Sequence, residues 1–317
     1  MMKYIVSIVL ALGLSAQGQV SLAGGRLSAD ALLWVSCRWQ QGERGGLHNS
    51  RFDFYRRAMF VGLSSQVHPV ASLRMYFDAA GVSPYDLYLD LRWPNGIGLR
   101  AGQFVPPLGF EAWTPPRELR FIEYSILERH WKPWGGRDIG VMASYKTGLF
   151  ELAGAVVNGN GRNTWGDEND WKDVCGCVTL KPLAQYGLQF ACRAYDGRYY
   201  KEGVRFWNAA AEALFERGPL QVLAAGQHAV WGSVIRNSFQ VQAACGFLQL
   251  LEPVGRVEVE LLSEDKYVLG VTGGVNLLAA GDLLKVMLNY CYSRRASVLP
   301  ENRETQQVLT LQVQAAM

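Results

Sequence analysis

The stretch "YDLYLDLRWPNGIGLRAGQ", residues 85–103, alternates on both sides of a Pro-Asn-Gly turn. Tyr85, Leu87, Leu89, Leu91 and Trp93 are apolar, and Asp86, Tyr88, Asp90 and Arg92 between them are polar or amphipathic. Beyond the turn Ile97, Leu99 and Ala101 are apolar while Arg100 takes the opposite parity. A period of two is the period of a strand, and a short turn of this kind between two such runs makes a hairpin. In a soluble sheet the apolar face meets a core; in a membrane barrel it meets lipid and the polar face lines a lumen.

The rest of the chain decides between these. Alternation and turn residues predict strands near 27–38, 52–63, 68–78, 85–93, 97–104, 138–146, 149–157, 172–180, 186–195, 204–216, 219–231, 238–249, 254–262, 267–277, 282–292 and 306–317, with no amphipathic helix between them. The connections alternate in length. "QQGERGGLHNS" is followed by "SSQV", "AAGVSP" by "PNG", the long stretch 105–137 by "KTG", and "NGNGRNTWGDENDW" by "PLAQ". Later pairs keep the parity, with "RGP", "LEP" and "LAAGD" in the short series. Long loops at one end and tight turns at the other describe an all-β, transmembrane, up-and-down antiparallel β-barrel of about 16 strands.

The two faces agree with a lipid-exposed wall. Val257, Val259 and Leu261 oppose Arg256, Glu258 and Glu260; Leu309, Leu311 and Val313 oppose Thr310, Gln312 and Gln314. A charge on the lipid face costs roughly 2–4 kcal/mol at the midplane, so confining charges to one parity is a physical requirement. Trp39, Trp93, Tyr186, Trp231, Tyr267 and Tyr292 stand at strand ends, where interfacial aromatics belong.

The chain opens with "MMKYIVSIVLALGLSAQGQV": Lys3, an apolar run to Leu14, then small residues with Ala16-Gln17-Gly18 as a cleavage site. This reads as a secretory signal peptide over residues 1–18, leaving a barrel domain over 19–317 in the bacterial outer membrane. The net charge of +3 is too mild for a nucleic-acid partner. The six cysteines sit singly or as Cys175-Gly176-Cys177 in strand patterns, without zinc-site spacing. "GDENDW" at 166–171 lacks EF-hand spacing, and the four histidines lie in no nucleophile motif. No cofactor, metal site or catalytic residue is expected.

Several stretches together resemble the phosphate-selective porin O and P family of bacterial outer membranes: "FDFYRRAMFVGLSSQV", "YLDLRWPNGIGLRAGQFVPPLGFE", "RELRFIE", "GGRDIGVM", "VVNGNGRN" and "DVCGCVTLKP", in order over residues 52–182. The resemblance implies a trimeric channel of sixteen strands that passes small anions or other hydrophilic solutes. It also implies that the adjacent Arg56 and Arg57 are the family's paired arginines, on the wall near a constriction. Alternation puts Arg57 inside with Asp53 and Tyr55, and leaves Arg56 among Phe52, Phe54, Ala58 and Phe60 unless the strand is locally irregular.

Parity places Arg57, Arg74, Arg92, Arg100, Arg193 and Arg256 in the lumen, where guanidinium groups bind phosphate or carboxylate in bidentate fashion. Asp53, Asp78, Asp86, Asp90, Glu151, Glu212, Glu258 and Glu260 share that parity, so the lumen is of mixed charge. The stretch 105–137 follows the fifth strand and carries Arg117, Glu118, Arg120, Glu123 and Arg129. It is expected to fold inward as a charged constriction loop, since long ordered loops are usually functional, with a solvated extracellular loop as the alternative. Two functions stand at this point: a porin for passive diffusion of small anions and solutes, phosphate among them, or a plugged barrel serving as an envelope anchor or adhesin.

Overall fold

The computed structural model describes residues 20–22, 26–44, 47–79, 81–131, 136–164, 166, 169–199, 203–247, 250–263, 266–296 and 304–317. The expected signal peptide lies outside them. Alternation becomes structure as a closed, wholly antiparallel sheet of sixteen long strands. A short strand β1 (Val20–Leu22) pairs with the start of β2 (Leu27–Arg44). Then follow β3 (Leu47–His68), β4 (Ala71–Asp78), β5 (Ser83–Arg92), β6 (Ile97–Phe104), β7 (Asp138–Lys146), β8 (Phe150–Val157) and β9 (Asp173–Leu183). The second half comprises β10 (Leu188–Tyr199), β11 (Val204–Arg217), β12 (Leu220–Trp231), β13 (Val234–Cys245), β14 (Leu251–Leu262), β15 (Lys266–Asp282), β16 (Leu284–Ala296) and β17 (Glu304–Ala316). Each strand pairs with its neighbour in sequence, and β17 closes on β2 from Glu304 opposite Arg44 to Ala316 opposite Leu32. Among the described residues each of the sixteen long strands is paired on both sides, as a hydrocarbon environment requires.

The hairpin at 93–96 shows how sequence sets the turn. Gly96 has φ of 89°, a left-handed conformation that glycine adopts freely, and its N–H donates to the Trp93 carbonyl at 3.1 Å. The side-chain carbonyl of Asn95 accepts from the Ile97 N–H at 3.3 Å. Leu89, Ile97 and Leu99 are exposed on the outer wall, and Asp90 is buried on the inner one. Val257 and Leu261 likewise face out while Arg256, Glu258 and Glu260 are buried inside.

Three expectations are corrected. First, "QQGERGGLHNS" is mostly strand: β2 runs 18 residues and β3 runs 22, well past the 9–11 a tilted strand needs to cross. Above the apolar band both faces are polar, so the ladder continues with no alternation to betray it. "LEP" and "LAAGD" also fall largely within β14 and β15, and the hairpin end at 232–233 is short, so the contrast in loop length belongs to the first half of the chain. Second, β3 is irregular at the arginine pair: Val35 pairs with Arg56 and Trp34 with Ala58, leaving Arg57 as the extra residue. Phe52 and Phe54 face out, but Ala58 and Phe60 are buried inside rather than turned to lipid. The side chains of Arg56 and Arg57 lie outside the described residues. Third, Tyr85 is the extra residue where Tyr76 pairs with Asp86 and Phe77 with Pro84. Pro84 has no N–H for the ladder, and Tyr85 turns inward onto Phe60, with ring centroids 4.8 Å apart.

Candidate functional site

The site begins where β6 ends. Val105-Pro106-Pro107 follow Phe104, and proline cannot donate to a ladder, so the chain leaves the wall there. The Pro106 carbonyl accepts from the Leu108 N–H and from Trp113 Nε1, both at 2.7 Å, which folds the chain back on itself. Two short helices follow, α1 (Phe110–Trp113) and α2 (Ile126–His130), the latter capped by Ser125, whose Oγ accepts from the Glu128 N–H at 3.2 Å. Phe104 and Leu108 are buried with Trp131 against inward side chains of β7–β11, among them Met142, Val157, Tyr195 and Phe206.

Irregular backbone at membrane depth survives only where protein satisfies its polar groups. Here the inward side chains of β11–β17 do so. Glu212 accepts from the Phe110 N–H at 3.1 Å, and Gln227 donates to the Leu127 carbonyl at 3.3 Å. Glu258 accepts from the Ile126 N–H at 2.5 Å, and Arg256 donates to the Glu123 carbonyl at 3.1 Å. Asn276 reaches the Arg120 carbonyl at 2.9 Å, and Asn289 accepts from the Ile122 N–H at 2.9 Å. Lys285, fully buried, donates to the carbonyls of Arg117 at 2.5 Å and Leu119 at 3.2 Å, and Gln314 donates to Arg117 at 2.9 Å. The segment is thus strapped to one half of the inner wall.

Ion pairs reinforce the strap. Arg256 lies 3.3 Å from Glu111 and 3.1 Å from Glu258; Arg120 lies 3.0 Å from Glu252; Glu123 pairs with Arg38. His130 Nε2 stands 3.1 Å from Glu260, yet burial outweighs that carboxylate and lowers the imidazole below its usual value. The contact is therefore a hydrogen bond to a neutral ring near neutral pH. Burial raises the Glu111 carboxyl against the pull of Arg256. Glu128 is raised further, by burial and by the carboxylates of Glu111 and Glu212.

The other half of the wall is left facing space. Arg74 holds Asp30 through two bonds of 2.5 and 2.9 Å and Ser64 at 2.8 Å. Asp90 is shared by Arg92 at 2.6 Å and Arg100 at 3.0 Å; Asp86 takes Arg137 at 3.0 Å; Glu151 takes Lys146 and Lys181 at 2.7 and 2.5 Å. Guanidinium groups also cover tyrosine faces, Arg100 over Tyr88 at 4.1 Å and Arg137 over Tyr85 at 3.7 Å. With Pro115 and Arg117 of the strap, most of these groups, Ser64, Lys181 and Tyr85 excepted, line a cavity of ≈ 770 Å³ toward the tight-turn end. A second space of ≈ 700 Å³, lined by Arg38, Arg44, Arg51 and Asp53 among others, lies at the opposite end of β2 and β3.

The structure sorts the arginines that parity groups together. Arg74, Arg92 and Arg100 meet on one cavity wall. Arg193, nearly buried, pairs with Glu212 at 2.8 Å, and Arg256, 4% exposed, is covered by the strap it holds. Of the strap residues, Arg117 faces the cavity, Glu118 stands beside it, Arg120 and Glu123 pair with the wall, and Arg129 is exposed. Sequence reasoning passed over Lys285, Asn276 and Gln314, whose inward parity is visible, because nothing in parity tells which segment they will hold.

No family model matches this chain, and no curated protein does. Solved structures of similar shape are bacterial outer-membrane porins and channels. The outer membrane channel DcaP of Acinetobacter baumannii superposes with a TM-score of 0.70 at 12% identity, over 95% of this chain and 100% of that one. The anion-selective porin from Comamonas acidovorans gives 0.66 at 12% identity, over 92% and 100%. Salmonella typhi OmpF in complex with daunomycin gives 0.64 at 11% identity, over 93% and 100%. At such identities the likeness is one of fold: a porin-like barrel.

Proposed function

We propose that this chain is an outer-membrane porin, passing small hydrophilic solutes and small anions by passive diffusion, and that the strap 105–137 is its constriction. The observation that carries the reading is the division of the lumen: a polar strap fixed to β11–β17 faces a wall of arginines across a cavity of ≈ 770 Å³. Export with removal of residues 1–18, embedding in outer-membrane lipid, assembly as a homotrimer and the absence of enzymatic chemistry belong to the same proposal. Phosphate is the solute that the family resemblance implies. Each cavity arginine with a carboxylate partner weakens that choice: Arg74, Arg92, Arg100 and Arg137 present dipoles rather than an unopposed ladder of charge. A mild preference for anions is expected.

Reversal potentials in asymmetric salt, with and without phosphate, test this. The double variant Arg74→Gln with Arg100→Gln shifts permeability from anions toward cations with the barrel folded. The shift persists at moderate salt, because charges in a narrow, partly dewatered site are less screened than surface ones. An unchanged reversal potential removes the arginine wall from the account. Silence of the folded wild type in planar bilayers favours the second reading, a plugged structural barrel, which the many contacts of the strap with the wall support.

A further inference from the structure

Side chains that point into a water-filled bore are exposed. Along β2 the inward residues are Asp30, Leu32, Trp34, Ser36, Arg38 and Gln40, in that order. Asp30 and Leu32 line the cavity at one end, and Arg38 and Gln40 line the space at the other. Trp34 and Ser36 between them line neither; they are 8% and 2% exposed. The same level of β3 carries Ala58 and Phe60, each 6% exposed. The aromatic side chains there interlock: Phe60 stacks on Tyr76 with centroids 5.0 Å apart, and Trp34 meets Phe60 edge-on at 6.2 Å. Leu119 of the strap packs against this cluster. Its backbone is pinned there by Lys285, and its N–H donates to the Pro116 carbonyl.

We infer that Leu119, Trp34, Phe60, Tyr76 and Tyr85 form an apolar collar that divides the two polar spaces and makes the channel select by hydration. This rests on the porin reading. An apolar constriction excludes water until a solute or fluctuation fills it, so the barrier is the cost of stripping hydration from whatever crosses. The weakly hydrated ion pays little and the strongly hydrated one much. The solute class follows: anions and neutral solutes with exposed apolar or polarisable surface pass, and inorganic phosphate is held back, despite the arginines beside the collar.

The test uses the full-length protein in planar bilayers, with thiocyanate and phosphate as probes of opposite hydration. The wild type passes thiocyanate over phosphate by about tenfold or more. Leu119→Asn keeps the branched shape and heavy-atom count of leucine but binds water; it raises conductance several-fold and brings phosphate toward thiocyanate. Leu119→Ala enlarges the gap while leaving it apolar, and it raises conductance with less change in that ratio. Equal passage of the two ions in the wild type overturns the collar and leaves the porin. So does a larger effect of Ala than of Asn on the ratio, since the block is then one of size. Silence of wild type and both variants, with each barrel folded, overturns the porin reading itself.

Discussion

Glu128 is held where a carboxylate is least welcome. Its backbone caps onto Ser125, and its side chain reaches Gly109, where a Cβ would stand 2.1 Å from Oε2, so only glycine leaves room. The groups facing it are the carboxylates of Glu111 and Glu212, the guanidinium of Arg193 and the N–H of Ala112. The first two and burial raise its pKa; the last two oppose them without cancelling. A carboxyl raised on folding contributes stability that is fully present below its unfolded value, about 4.3, and is lost as pH rises through the folded value. Glu128→Gln, which fixes the neutral form, is therefore expected to raise the temperature of unfolding at pH 8 and to leave it nearly unchanged at pH 4. A heat-modifiability series at both pH values checks this, and a lower unfolding temperature at pH 8 would count against it. His130 works in the opposite direction: its lowered pKa means stability present above about 6.5 and lost as pH falls.

At the scale of the element, the strap depends on tethers that reach it from six of the seven strands β11–β17; the exception is β13, whose buried Gln240 and Gln242 make no such bond among those described. Lys285 is the strongest single point, since one ammonium holds two strap carbonyls and Asp282. Lys285→Met keeps a buried stem of similar length but leaves the Leu119 carbonyl without its side-chain donor, at a cost of about 1–3 kcal/mol, while Gln314 still donates to the Arg117 carbonyl. Limited trypsinolysis of the variant should cleave at Arg117 and Arg120 well before the wild type, with a noisier open-channel current. Equal resistance would show the remaining tethers to suffice. All sixteen barrel strands were legible in the sequence, because lipid outside and polar groups inside impose a period of two. The site was legible only in part. Parity finds Arg74, Arg100 and Arg256 alike, but not that the strap would cover Arg256 and leave the other two beside a cavity. Nor does parity survive an inserted residue, which is why Phe60 and Tyr85 read as lipid-facing and stand instead in the collar.

For the whole molecule, closure through the β17–β2 seam predicts resistance to detergent until heated: unboiled and boiled samples should migrate differently, with a mature N-terminus at or within a few residues of Gln19. Migration without a shift, in the soluble periplasmic fraction, would exclude an embedded barrel. The seam also bears on time. Gln314 holds the Arg117 carbonyl across 197 positions of sequence, and Lys285 holds it across 168. Contacts so distant along the chain form late and slowly. These two tethers of the strap therefore form only once β16 and β17 have joined the wall. The strand that closes the seam on β2 also carries a tether of the strap, so closure of the wall and docking of the segment inside it are coupled. Anything that delays them leaves an open sheet with its polar interior unpaired, a substrate for the cell's proteases.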